Sequence, residues 1–516
     1  MKGDFARFTF DPARHYSRVL QQQGRVSLEA DWNEQAAIQL HLLRALAMDL
    51  AGPAWAAGDG FSMLPQGMAT LPEKPGDWPL SAGHFYVDGM LCENNRDHTT
   101  LASQPYSPTP DDGADQGTPG ADSRQAPFVV WLDVWERHVS SVEAPAIIDV
   151  ALGGADTATR AQVIWQLRLF DPVHAGKWLD DTLTALRARL LAASRTGDDT
   201  AVVDRQIIDM KNLHVALADM GHVDTDQPDA AAALVHQVLD VRASWALPHL
   251  RATLPAVAGS DSRAVIAGSG YLGSENQLYR VEIHRGGPVA SEGAQGATFK
   301  WSRDNGATVF PIVGYGAPAM DGRMRVGVIL ACPGGAARFD LAVGDWVELL
   351  DDDCTLAQCD TFPLLQVIAL TTGTPHSSVT LRVPDRRMPY LPDVNPQRHP
   401  LLRRWDQRGT TEAADVLDVI EGGPIALEAG ISITFEPGGL YAHGDYWTIP
   451  ARVAGGGTLD WPRQTGIDGQ PARDDHGHPV ATAVPAAGRH HYAVLGCVDA
   501  EGGYHEYCRR IDSHRR

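Results

Sequence analysis

The chain is 516 residues long and 44% hydrophobic, which is enough apolar material for two to four ordinary cores. Its net charge of −21 excludes the clustered basic footprint of a nucleic-acid binder and sets it against anionic membranes. Only five of the 43 basic residues are lysines (2, 74, 177, 211 and 300), a bias that GC-rich coding explains and that Arg-rich interfaces would also use.

The first expected element is a helix behind an extended arm. Asp31 can cap it with Glu34 three positions on, Ile38, Leu42, Leu43, Leu46 and Leu50 form an apolar stripe, and Gly52-Pro53 ends it. The arm sets Phe5, Phe8, Phe10, Tyr16 and Trp32 among Arg7, Arg14, Arg18 and Arg25, the residue types of interface hot spots. Residues 1–60 therefore read as a docking arm and helix, with Phe5, Arg7, Phe8, Phe10, Tyr16, Arg18, Arg25 and Trp32 as interface residues. The plainer alternative is a helix packed on its own domain.

Residues 61–175 read as a β domain. His84-Phe-Tyr-Val-Asp-Gly89 is a strand running into a hairpin turn, and 102–126, rich in Pro, Gly, Ser and Asp, is a flexible linker. The strands expected at Pro127–Glu136 and Ala161–Leu169 pair in one sheet. Residues 176–262 carry three apolar stripes at helical spacing, led by Leu183, Val203 and Leu234, and read as a helical insertion with a shared core. Residues 263–420 form a β domain, with Leu278–His284, Ala307–Val313, Arg325–Ala331, Trp346–Leu350, Leu364–Leu370 and Ser378–Val383 as its clearest strands. Residues 421–516, with Ile431–Phe435, Gly444–Arg452 and Tyr492–Val498, form a separate small C-terminal β domain. The fold class is mainly β, multidomain and sandwich- or barrel-like, with an N-terminal helix and a helical insertion.

Catalytic signatures are missing in their persuasive forms: no Gly-x-Ser-x-Gly elbow, no His-Glu-x-x-His pair and no Walker loop. Asp351-Asp-Asp353 beside Asp360 could offer oxygens to calcium but lacks the spaced loop pattern, so a solvated turn is the better reading. His476, His478, His490 and His491 could meet at a metal, but their surroundings read as an exposed loop. The six cysteines show no zinc spacing and read as reduced thiols. Trp131, Trp135, Trp165, Trp301, Trp405 and Trp447 could stack on sugars, but in strand contexts they read as core anchors with bonded indoles. No cofactor, metal or catalytic residue is expected. No apolar run is long enough for a transmembrane helix and no secretory signal is evident, so synthesis in the cytoplasm is expected.

The opening strings Met1-Lys-Gly-Asp-Phe5, Phe10-Asp-Pro12, His15-Tyr-Ser-Arg-Val-Leu20, Gln22-Gln-Gly-Arg-Val26 and Ala30-Asp-Trp-Asn-Glu-Gln35 are joined by several later ones. These are Leu132-Asp-Val-Trp-Glu-Arg137 with Asp156–Gln162, Glu275–His284 with Phe299-Lys-Trp-Ser-Arg-Asp-Asn-Gly306, Arg403-Arg-Trp-Asp406, Gly444–Arg452 and Cys508–Arg510. Together they resemble an uncharacterised family encoded beside phage-tail-like contractile injection systems. The resemblance covers most of the chain and departs from it over 176–260. It implies a structural part of the particle, at the baseplate or its periphery, with baseplate, spike or sheath subunits as partners and a homo-trimer or hexamer as its own state. It implies neither nucleic acid nor membrane insertion and supplies no catalytic residue. A receptor- or carbohydrate-binding tail fibre is the alternative.

Overall fold

A computed structural model describes residues 1–64, 71–72, 77–97, 99–106, 128–152, 156–170, 184, 187, 204, 207–208, 211–212, 247–255, 270–290, 296–316, 319–320, 324–331, 340–357, 362–373, 375–384, 389–407, 416–454, 457–466, 470–473, 479–488, 490–498 and 503–511. Nearly all of the expected helical insertion, the linker beyond Tyr106, and His476 and His478 lie outside them. The fold is mainly β, with two compact units. Unit 1 comprises Met1–Arg7, His138–Ala161 and Pro248–Gly488; unit 2 comprises Phe8–Arg137, Gln162–Leu247 and Arg489–Arg516.

Unit 1 contains a barrel and a sandwich. In the barrel, Val309–Tyr315, Leu401–Trp405, Trp346–Leu350, Leu365–Thr371, His376–Arg382 and Met324–Ala331 pair in that order, and the last strand pairs back onto the first. Closure removes free sheet edges. Alternate residues such as Val326, Val328 and Leu330 fill the interior with Val347, Val367, Val379 and Leu402, as a period of two requires. In the sandwich, the sheet Leu417–Asp418, Thr298–Ser302, Gln277–Arg285, Tyr446–Arg452 and Thr458–Leu459 shares a core with His249–Thr253 and Ser432–Phe435 of a second sheet.

In unit 2, Ala54–Ala57 pairs with Gly83–Val87, which pairs with Met90–Asn94; Arg509–Ile511 joins Ala54–Ala57 in parallel. A second sheet orders Tyr504–Glu506, His491–Val498, Phe128–Val139 and Arg160–Phe170. The last two are neighbours, as expected for these two segments. Phe85, Val87, Leu132, Val134, Trp165, Leu167 and Leu495 make the common core.

Two expectations need correction. Residues 421–516 do not form a separate domain: Ser432–Phe435 pairs with His249–Thr253, Tyr446–Arg452 with Gln277–Arg285, and His491–Val498 with Phe128–Val139. Strands pair wherever an edge and an apolar face are available, and local pattern carries no record of the partner. The helix spans Glu29–Ala51 with Leu28 at its N-cap, so Asp31 lies within the first turn, where its carboxylate still complements the helix dipole.

One glycine seats that helix. The Asp88-Gly89 turn has φ of +47° and +75°, the left-handed pair that a two-residue hairpin needs. A Cβ on Gly89 would lie 2.4 Å from the backbone oxygen of Arg44. Arg44 in turn pairs with Glu136 at 2.9 Å. Gly89→Ala should therefore cost more than the strain alone, about 2–3 kcal/mol. Gly58→Ala, at φ +55° in open space, should cost only about 1 kcal/mol. Thermal unfolding of the two variants checks the difference; equal losses would remove the helix contact from the account.

Candidate functional site: a buried ionic network and a bare helix face

In unit 1 the strand Gln277–Arg285 turns Tyr279, Val281 and Ile283 into the sandwich core and Arg280, Glu282 and His284 to the other face. The neighbouring strand on one side presents Lys300 directly opposite Glu282, and the neighbouring strand on the other side presents Tyr446. This second face is also buried. Glu282 is met by Arg280 at 2.6 Å, Lys2 at 3.1 Å and Lys300 at 3.4 Å. Lys300 also reaches Glu348 at 2.6 Å and lies over the Trp405 ring, whose indole N–H donates to the other Glu348 oxygen at 3.0 Å. The Arg280 guanidinium lies 3.6 Å over the Tyr446 ring, and the Met1 amine donates to the Tyr446 hydroxyl.

Asn305 holds the first residues against this face. Its side-chain amide donates to the carbonyls of Met1 and Gly3 at 3.1 and 2.9 Å, and its backbone carbonyl accepts from the Gly3 N–H at 3.3 Å. Beside it, Asp406 accepts the Arg303 backbone N–H at 2.9 Å and pairs with Arg404 at 3.4 Å. The opening Met1–Phe5 string, Glu275–His284, Phe299–Gly306, Arg403–Asp406 and Gly444–Arg452 thus all feed one network. Sequence reasoning singles out these strings without revealing what joins them. The signal was the scarcity of lysine: two of the five in the chain meet here.

Burial alone would raise Glu282, yet Lys2, Arg280 and Lys300 hold it well below the usual carboxylate range. Burial also works against Glu348, but Lys300 takes it down to about 2. Desolvation, helped by Lys300, lowers His284 to about 3, so its ring is neutral. Desolvation and Arg403 do the same to His138, also to about 3. The arrangement packs several cations around two carboxylates, Glu282 and Glu348.

The expected interface residues divide between the units. Phe5 packs edge-on to His138 with ring centroids 6.4 Å apart, and Arg7 pairs with Asp460 at 3.4 Å, both within unit 1. Phe8, Phe10, Tyr16, Arg18, Arg25 and Trp32 belong to unit 2, where the arm lies along the helix. Thr9 donates to Glu34 at 2.5 Å, the Val19 N–H to Gln35 at 2.8 Å and Trp32 to Ser27 at 2.9 Å, while Phe10 packs on His41. Tyr16, Arg18, Arg25 and Trp32 are exposed. Ala30, Ile38 and Ala51 make the buried side of the helix, but Trp32, Leu40, Leu42, Leu43, Leu46 and Leu50 are all exposed, Trp32 at 66% and Leu50 at 73%. Ile38 is thus buried while the leucines expected to share its stripe are exposed.

The other candidates are engaged in packing. Asp351 accepts from Tyr390 at 2.7 Å, Asp352 pairs with His399 at 2.7 Å, and Asp353 pairs with Arg398. His490 bonds Asp133 at 2.6 Å and stacks on Trp135, and His491 bonds Asp88 at 2.7 Å. All six motif tryptophans are buried. Trp165 and Trp447 donate to backbone carbonyls, and Trp405 to a carboxylate. Cys92, Cys354, Cys497 and Cys508 are free thiols, and burial pushes Cys508 up to about 12.

Lys300→Met strands the buried Glu348 carboxylate and should cost about 3–5 kcal/mol. Adding Glu348→Gln removes the stranded charge, so the double variant should be more stable than Lys300→Met; urea unfolding that shows simple additivity would refute the network. The pH dependence has a definite sign. Glu348 is depressed in the fold, so its contribution is present above its ordinary pKa of about 4.3 and lost as pH falls toward 2. His138 and His284 are neutral in the fold and must protonate on unfolding, so stability is also lost from about 6.5 down to 3. Unfolding free energy should therefore fall continuously below pH 6.5, and Glu348→Gln should flatten only the part below about 4.3.

No curated protein matches this sequence. Among solved structures, the crystal structure of TssK is similar at 10% identity, with 81% of this chain and 99% of that one covered and a TM-score of 0.14, too low to carry an argument. The DUF6519 family, a family of unknown function, matches residues 1–515, and the chain belongs to it.

Proposed function

We propose that the chain is a structural component of a phage-tail-like contractile injection particle, at the baseplate or its periphery, and not an enzyme. The observation that carries the reading is the bare apolar face of Glu29–Ala51, joined in the same unit by Tyr16, Leu20 and Val26 of the arm, which are 55%, 70% and 82% exposed. A helix face lined by exposed leucines and Trp32 marks an interaction site on a folded protein. Arg18 and Arg25 lie beside it with the exposed aromatics, the residue types that dominate binding energy. The motif strings Met1–Phe5, Glu275–His284, Phe299–Gly306, Arg403–Asp406 and Gly444–Arg452 go into packing and ion pairing, as a scaffold requires, while those of the arm stay exposed. Its partners are other particle subunits, and several symmetry-related copies, three or six, fit the axes of such particles. A receptor- or carbohydrate-binding tail fibre is the second reading; the six motif tryptophans, which could have served as sugar platforms, are buried.

Leu43→Asp with Leu46→Asp changes two exposed side chains and should leave the thermal midpoint of the free chain within a few degrees. It should remove the chain from purified particles. Particles that retain the variant at full occupancy would refute the docking role of this face.

A further inference from the structure

The bare face has a pattern that identifies its occupant, on the reading above that it is an assembly interface. Trp32, Ala36, Gln39, Leu43, Leu46 and Leu50 are all exposed and follow one another at intervals of four and three residues. That is the alternation of the two seam positions of a coiled coil, opposite the side that carries Ile38 and Ala30. The order of intervals is the same read in either direction. We propose that two copies of this chain pair through this face, with their Glu29–Ala51 helices antiparallel about a two-fold axis.

Side-chain size selects the direction. An antiparallel pair sets Trp32 against Leu50, Ala36 against Leu46 and Gln39 against Leu43, so every layer joins a leucine to a different residue, the smallest of them facing a full side chain. A parallel pair would set Trp32 on Trp32 and Ala36 on Ala36, overfilling one layer and emptying the next. Charge selects it too. Glu29 continues the seam one step upstream, so parallel helices would bring two carboxylates together at that layer, while antiparallel ones place each beyond the other's Leu50. Between Trp32 and Leu50 the seam itself holds no charge, so two copies of an acidic chain can meet there without repulsion. The exposed leucines, Trp32 and the adjoining arm are the apolar surface such a pair would bury, toward the roughly 800 Å² that a stable pair takes from each partner. A pair of this kind favours six copies, as three pairs, over three.

The test uses the full chain. Unsubstituted protein should sediment at twice its 55.6 kDa chain mass, and Leu43→Asp with Leu46→Asp should halve that value. Chains carrying Ala36→Cys and chains carrying Leu46→Cys, mixed and mildly oxidised, should form a disulfide-linked dimer absent from either variant alone and from unsubstituted chain. A linked dimer from Ala36→Cys alone would mean parallel helices and overturn the proposal. A single-chain mass with no linked dimer would overturn it as well. If the aspartate variant is then still lost from particles, the docking reading survives with a different occupant. A linked dimer alongside full particle occupancy of the aspartate variant would keep the pair and refute the docking reading.

Discussion

Lys300 is 1% exposed, and an ammonium that is so far out of water has to be neutralised where it stands. The rest of unit 1 is arranged to meet that demand. Glu282 comes from the adjacent strand in register and Glu348 from a barrel strand, and Trp405 supplies both a ring face and an N–H. Such a set adds little net stability over a well-packed apolar core, because desolvation offsets most of the attraction. What it provides is direction. Removing either partner leaves a stranded charge, so alternative pairings of strands and of the opening segment are penalised. That accounts for the placement of five separated motif strings around one pair of carboxylates.

The second constraint lies in unit 2. A helix that is apolar on both sides can satisfy only one of them against its own unit, and Glu29–Ala51 satisfies the side that holds Ala30, Ile38 and Ala51. Gly89 allows the backbone at Arg44 to come close on that side, and the arm bonds to Glu34 and Gln35. The leucine side is left to something outside the chain's described residues. The two units thus carry different features: charges buried inside unit 1, and apolar side chains exposed on the helix of unit 2.

Much of this fold is legible in the amino-acid sequence. Strands announce themselves by alternation, as at Met324–Ala331, and the Asp88-Gly89 turn by the φ that its glycine permits. The helix is legible as an element, but its faces are not. Alanines and leucines surround the axis, so Ile38 and Leu43 read as one stripe although only Ile38 turns inward. The ionic network is illegible for a related reason. Arg280, Glu282 and His284 alternate with apolar residues as the solvent face of a strand would, and only tertiary packing decides that this face is covered. Strand partners drawn from distant parts of the chain, such as Ala54–Ala57 with Arg509–Ile511, leave no local trace.

The central claim is that the chain is a built-in part of a contractile particle. Quantitative mass spectrometry of purified, intact particles tests it most directly. The account predicts this chain at a fixed ratio to the sheath and baseplate subunits, in copies that are a multiple of three. Its absence from particles made by cells that express it, or a trace level that varies between preparations, would contradict the account.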